Sequence, residues 1–353
     1  MSVNKNIKGI SMFSSAGIAE TYLNEIGIDI LLANELVEER ANFYKHLYPK
    51  TKMITGDILD KNIFKEFVSE AKKINPSFLI ATPPCQGMSS LGKKDYEIDE
   101  RNFLIFSVIE VIKQIDFDFI LIENVPKFFK LFFPFKEKML GIIEILEILF
   151  SEKYFVEHSV LNAKDYGVPQ SRPRAIIKLF KKNKKWSSPD KQPEITLEKA
   201  IGHLPSLKPE EKSKHKFHFA MKHSAMQVEA MTHTPEGKSA MVNEIYFPKK
   251  PNGEKVSGFH NTYKRMKWNS PAPARATNNG LISGHNNVHP GRKRKDGTWS
   301  DPRVLSLLEL FIVSSLPEDW NIPTDCKDAF VRLLIGEAIP PLMLKEVLLK
   351  INQ

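Results

Sequence analysis

The chain has 353 residues, 42% of them hydrophobic and 26% charged, and a net charge of +9. That balance belongs to a water-soluble protein of two or three domains, and no stretch reaches the run of about 20 apolar residues that a membrane helix needs. Two cysteines, Cys85 and Cys326, are too few for a disulfide framework or a multi-cysteine zinc site. The polar start Met1-Ser-Val-Asn-Lys-Asn has no secretory core, so a cytoplasmic chain free of membrane is expected.

The charge is unevenly placed. Residues 181–300 hold 23 Lys and Arg against 10 Asp and Glu, a balance of +13, and the rest of the chain sums to −4. Eight of the ten histidines also lie in that segment. A basic insert in a slightly acidic body suits either a polyanionic partner, nucleic acid first among them, or a solvated loop region.

The first 180 residues alternate strand and helix patterns. Short runs rich in Ile, Val, Leu and Phe predict strands at 9–13, 29–34, 52–58, 78–82, 117–123, 155–161 and 174–180. Helical patterns fall between them at 18–26, 38–47, 60–73, 101–115 and 135–150. Alternation of this kind predicts an α/β fold with a doubly wound, mostly parallel sheet, whose ligands sit beyond the carboxyl ends of the strands. Pro, Ser, Lys and His then crowd an irregular stretch to about residue 270, which predicts a second, smaller domain. Helical patterns return at 304–315, 326–335 and 342–351. The expected division is 1–184, 185–270 and a segment 271–353 that returns to the first domain.

The strand ends carry the chemistry. The first strand runs into Phe13-Ser-Ser-Ala-Gly17-Ile-Ala-Glu20, whose small residues suit either a cofactor approaching a helix N-terminus or a plain tight turn. The second ends in Asn34-Glu35, and an acid about 20 residues after the first turn suits ribose hydroxyls. The third ends in Gly56-Asp57-Ile58, with Asp57 placed for an adenine amine. Either acid also suits a helix N-cap. The fourth ends in Thr82-Pro-Pro-Cys85-Gln-Gly-Met-Ser89, which holds a cysteine rigidly as a nucleophile, unless it is an inert buried thiol. The fifth ends in Ile122-Glu123-Asn124-Val125, a carboxylate on an apolar strand that needs a partner or a task, as general acid or buried pair. Asn162-Ala-Lys-Asp-Tyr-Gly167-Val-Pro-Gln-Ser-Arg172-Pro-Arg174 precedes the seventh strand, and its alternating arginines point one toward the site and one elsewhere.

Pro-Pro-Cys-Gln, Glu-Asn-Val and Asn-Ala-x-x-Tyr-Gly-Val-Pro-Gln-x-Arg-x-Arg occur in order, and with them the chain resembles the bacterial DNA cytosine-5 methyltransferases. The resemblance runs from Phe13 to Gly336-Glu-Ala-Ile-Pro-Pro and fades only between about 185 and 265. It implies a Rossmann-like S-adenosylmethionine-dependent enzyme that methylates C5 of a cytosine within a short site in double-stranded DNA. In that reading Cys85 attacks C6, Glu123 serves N3, Arg174 serves O2 and Arg172 supports the loop or the site. The base leaves the duplex first, and no metal takes part. The cofactor would meet Phe13, Ser14, Gly17, Glu35, Asp57, Ile58, Pro84, Leu104 and Glu337. The family often has an acid at the place of Ser11, glycines at Ser15 and Ile18, and Asn at Glu337.

The resemblance also makes the basic insert a target-recognition domain, with Gln86, Ser89, Lys264, Arg265, Lys267, Arg292 and Arg294 on DNA and Asn278-Asn279 as further candidates. The spacing of His215, His218 and His223 lacks the cysteine or paired acid that a metal site needs. A monomer is expected, with a cognate restriction endonuclease sharing the site without a stable complex. Other readings are a tRNA substrate, an idle DNA-binding regulator and, more distantly, a nicotinamide oxidoreductase.

Overall fold

The computed structural model describes residues 6–84, 103–250 and 252–353. Cys85, Gln86 and Ser89 lie outside the described residues. In chain order the strands are β1 (Ile7–Met12), β2 (Ile28–Glu35), β3 (Lys52–Thr55), β4 (Phe78–Ala81), β5 (Phe119–Asn124), β6 (Phe132–Phe135), β7 (Lys138–Gly141), β8 (Tyr154–Asn162), β9 (Gln170–Ser171), β10 (Pro173–Lys181) and β11 (Ala272–Pro273). The helices are α1 (Glu38–Leu47), α2 (Lys61–Ile74), α3 (Ile105–Gln114), α4 (Ile142–Phe150), α5 (Leu197–Ile201), α6 (Ala225–Thr232), α7 (Leu307–Val313), α8 (Asp328–Glu337) and α9 (Pro341–Leu349). Among the described residues no helix is long and apolar enough to cross a membrane.

The chain forms two compact units. The first holds residues 1–162, 173–190 and 343–353. Its seven-stranded sheet has the order β3-β2-β1-β4-β5-β10-β8. β10 is the reversed strand, antiparallel to both β5 and β8, while the other pairs are parallel. The order reverses between β1 and β4, the switch point where an open α/β sheet leaves a crevice for ligands. Alternate residues Ile10, Met12, Leu79, Ala81, Ile120, Ile122, Ile177 and Leu179 face one way, into a core shared with Phe67 of α2, Val108 of α3 and Leu146 of α4. The opposite face carries Phe119 and Phe180, both packed on Trp186. Residues 343–353 close this side, where the Trp186 indole donates to Val347 O at 2.9 Å.

Two predicted helices take other forms. Residues 18–26 make two 3-10 turns, Ile18–Glu20 and Asn24–Ile26, between left-handed glycines at 17 and 27. The Thr21 hydroxyl takes the Ile18 carbonyl at 2.7 Å, which competes with helix propagation. Of 135–150, only Ile142–Phe150 is helical; Lys136, at φ 55°, turns the preceding residues into the β6–β7 hairpin.

The second unit holds residues 163–172 and 191–342. The Gly167–Arg172 motif is built into it, and so are residues 271–342. Strand β9 pairs with β11, and Gln170 donates to Val313 O at 3.1 Å. Its helices are short, and capping boxes start α6 at Ser224 and α7 at Ser306. Loops dominate, and loop carbonyls need donors when buried. Arginines supply them: Arg265, Arg275 and Arg303, fully buried, each donate to main-chain carbonyls of this unit.

Candidate active site

The turn after β1 is strained. Phe13, Ser15 and Gly17 all have positive φ, at 59°, 49° and 74°. A Cβ on Gly17 would stand 2.4 Å from the Tyr48 ring, so only glycine fits. Neighbouring strands hold the turn: Ser14 N donates to Asn34 O at 3.0 Å, and the Thr82 hydroxyl at the end of β4 donates to Phe13 O at 2.9 Å. Phe13 is half-buried against the main core.

Glu35 ends β2 and is buried, with each carboxylate oxygen accepting one backbone N–H: Ser15 at 2.9 Å and Val37 at 2.8 Å. An ionised carboxylate has about four acceptor positions, so the acid is fixed in place and keeps acceptor capacity for hydroxyl donors. Asn34 spans to β3, donating to Ile54 O at 3.0 Å and Gly56 O at 3.1 Å. Asp57 follows, exposed, with one oxygen accepting Leu59 N at 2.9 Å, while Ile58 is buried in the core. The helix cap is Asp60, which accepts from Asn62 and Ile63; the sequence allowed that part to Asp57. A fixed carboxylate, an exposed one and a backbone-lined turn at the switch point fit a ribose- and adenine-bearing cofactor. Pro84 and Leu104 are half-buried, and Asn124 at the end of β5 donates to Pro83 O at 3.1 Å.

Beside these ends lies the ion pair the motifs foreshadowed. In the register of β5 and β10, Glu123 stands opposite Ile176. Arg174 is two residues before Ile176, hence a diagonal neighbour on the same face. Its Nε lies 2.9 Å from Glu123 Oε1, and one Nη donates to Pro173 O at 2.9 Å. The carboxylate that an apolar strand cannot bury alone is thus paired.

Arg172 has a different task. In the second unit its two terminal nitrogens donate to Arg275 O at 2.6 Å and Gly336 O at 2.7 Å. It ties the motif to the loop after β11 and to the end of α8, where Glu337 is the last helical residue. The role supported is holding the loop.

The basic insert divides into surface and scaffold. Lys267, Arg292 and Arg294 are exposed and Lys264 is half-buried. Arg292 pairs with Glu198 at 2.6 Å and lies over the Trp268 ring at 4.2 Å. Arg265 is a correction to the expected DNA contacts: it is fully buried, and its guanidinium donates to Met231 O at 2.8 Å, His289 O at 2.8 Å and Asp301 O at 3.1 Å. Burial pushes its pKa down to about 9, against the opposing charge of Asp301. Asn279 is corrected on the same ground, being buried between Ala276 O at 2.7 Å and Arg332 O at 2.8 Å. His218 bonds to Ser306 Oγ at 2.8 Å and Pro205 O at 3.0 Å, as a core histidine does. Among the described residues no cluster of His, Cys, Asp or Glu is arranged to hold a metal.

The sequence reading missed the charged centre of the second unit. Arg303 binds Glu309 through two nitrogens at 2.7 and 2.9 Å, and Asp301 at 2.8 Å. Burial alone would raise the Glu309 carboxyl, but Arg303 and His289 hold it well below the usual range. The signal was present: Leu307-Leu-Glu-Leu-Phe puts an acid in an apolar run, as Ile120-Leu-Ile-Glu does at Glu123.

A doubly wound sheet with carboxylates at two strand ends and a Glu–Arg pair beside them fits an enzyme that takes a nucleoside-bearing cofactor. The chain belongs to the C-5 cytosine-specific DNA methylase family, whose sequence model matches residues 7–353. It is 47% identical over 349 residues to the Type II methyltransferase M1.HgaI of Avibacterium volantium, covering 98% of both chains. It is 28% identical to M1.HphI of Haemophilus parahaemolyticus, over 97% of this chain and 87% of that one. A solved structure assigned as a prophage-encoded DNA modification methyltransferase of E. coli shares the fold, with a TM-score of 0.70, 18% identity and 98% coverage of each chain. Enzymes of this family take their methyl group from S-adenosylmethionine.

Proposed function

We propose that this chain methylates C5 of one cytosine within a short specific sequence of double-stranded DNA, as the modifying half of a restriction–modification system. The Glu123–Arg174 pair carries the reading: an acid and a guanidinium fixed at 2.9 Å and nearly buried suit two adjacent polar atoms of a pyrimidine, N3 and O2. When bound, S-adenosylmethionine supplies an electrophilic methyl group. Phe13, Ser14, Gly17, Glu35, Asp57, Ile58, Pro84, Leu104 and Glu337 are the residues assigned to hold it.

Cytosine C5 is a weak nucleophile within an aromatic ring. Addition of the Cys85 thiolate to C6 breaks the aromaticity and makes C5 enamine-like. Cys85 lies outside the described residues, and its part rests on the Pro-Pro-Cys-Gln motif. Glu123 bonds or protonates N3 and so drains charge from the ring as sulfur adds. Arg174 has N–H groups beyond those on Glu123 and Pro173, and these serve O2. After C5 has gained its methyl group it loses its proton, the C6–S bond breaks, and Cys85 leaves as thiolate. The target base is turned out of the helix for this chemistry.

The second unit is assigned to DNA. Lys264, Lys267, Arg292 and Arg294 are assigned to its phosphates, and Gln86 and Ser89, which follow Cys85 in sequence, are assigned to DNA with them. A monomer acting on free DNA, with an endonuclease that shares its site without a stable complex, suits the relatives' Type II names. Substituting Cys85→Ala and offering labelled S-adenosylmethionine with duplex DNA tests the reading. Loss of transfer, together with a covalent adduct of the wild type on 5-fluorocytosine DNA, is expected. Retained transfer by the variant would overturn the mechanism.

A further inference from the structure

The turn at Phe13–Gly17 rests on a buried acid that the mechanism does not use. Glu20 is 4% exposed. Its carboxylate accepts the Tyr44 hydroxyl of α1 and the Ser11 hydroxyl of β1. Its backbone N–H donates to Gly17 O at 3.0 Å, and the Tyr48 hydroxyl donates to the same carbonyl at 2.7 Å. The two tyrosine rings lie 4.8 Å apart between centroids, tilted by 48°, and stand where a Gly17 side chain would be. One residue thus links β1 and α1 through its carboxyl group and the turn through its backbone.

We propose that Glu20 is a positioning residue for the methyl donor, fixing the turn at Gly17 and supplying, when ionised, a buried negative charge that favours the cationic sulfonium over its neutral thioether product. The proposal rests on reading the Phe13–Gly17 turn as the cofactor loop. Burial pushes the Glu20 carboxyl up to about 7, even though the Tyr44 and Ser11 hydroxyls favour its charged form. The titratable groups facing it are Tyr44 and Tyr48, both held neutral by burial. Glu20 therefore changes charge in the neutral range, and a cation bound nearby draws that ionisation to lower pH. By linkage, the cation binds more tightly as pH rises through that range, and the uncharged thioether does not.

The test is calorimetric titration of the full chain with S-adenosylmethionine and with S-adenosylhomocysteine, from about pH 6 to about pH 8. In the wild type, affinity for the sulfonium relative to the thioether should rise about fivefold over that window, the share of one unit of pKa coupling that falls within it. In Glu20→Gln the ratio should stay flat, while thermal melting at about pH 8 shows the variant no less stable, since a buried charge has been removed. Tyr44→Phe keeps the ring but removes a bond to the ionised carboxyl, so the rise should move to higher pH. A flat ratio in the wild type, a normal rise in Glu20→Gln, or no upward movement in Tyr44→Phe would each overturn the proposal. A wild type that binds neither ligand would overturn the reading of the loop itself, and this proposal with it.

Discussion

Arg174 Nε lies 2.9 Å from Glu123 Oε1, and each side chain is 11% exposed. Glu123→Gln keeps the shape and removes the acid, and should lower methyl transfer by about 10²–10⁴-fold, and because the nearly buried Arg174 then loses its charge partner the melting temperature should fall as well. Arg174→Ala takes the guanidinium away from a nearly buried carboxylate and should cost about 3–5 kcal/mol of stability as well as activity. Labelled-methyl incorporation beside urea unfolding separates the two effects. Wild-type transfer by Glu123→Gln would remove the acid from the chemistry.

Arg265 and Arg294 should behave oppositely. Arg265→Met strips donors from three buried carbonyls and should destabilise by more than about 3 kcal/mol, each orphaned group costing about 1–3. Arg294 is exposed. Arg294→Ala should leave unfolding unchanged but reduce the slope of log DNA affinity against log salt by about one. Equal salt slopes for wild type and Arg294→Ala would take that residue off the phosphates.

The second unit should lose stability in acid. Asp301 and Glu309 are both held below their ordinary values of 3.8 and 4.5 despite burial, by Arg303 and His289. A carboxylate depressed in the folded state contributes stability that is complete above its unfolded value and is lost as pH falls through the folded one. Melting temperature should therefore hold at neutral pH and fall increasingly below about pH 4. Glu309→Gln should be several kcal/mol less stable at neutral pH, about 3–5, because Arg303 is left buried with less compensation. A Glu309→Gln curve matching the wild type would mean that the pair contributes nothing.

Gly17→Ala sets a methyl group against Tyr48 at a φ of 74°. It should lower the melting temperature, costing more than about 1 kcal/mol, and weaken S-adenosylmethionine binding in calorimetry. Unchanged binding would separate the turn from the cofactor.

The sheet was legible because its strands are covered on both faces and read as unbroken apolar runs, as Phe78–Ala81 and Phe119–Ile122 do. Site acids stood out where such runs end in charge, at Glu35 and Glu123. What the sequence concealed was decided by tertiary partners. Glu20 lies in an ordinary helical pattern, and nothing local shows Tyr44 and Tyr48 folding over it. Arg265 stands among Lys264 and Lys267, and composition cannot tell the one that feeds loop carbonyls from those that face water. The bounds of the second unit escaped because β9 pairs with β11 about a hundred residues away, a long-range contact with no local signature.

The reversal of β10 has a consequence for how the pair is held. Because β10 runs against β5, its beginning lies beside the end of β5, and Arg174 meets Glu123 at the first turn of the backbone into the strand. A parallel β10 would carry the guanidinium to the far end of the sheet. The distance between the two groups is therefore set by the register of β5 against β10 and not by the length of chain that separates them in sequence.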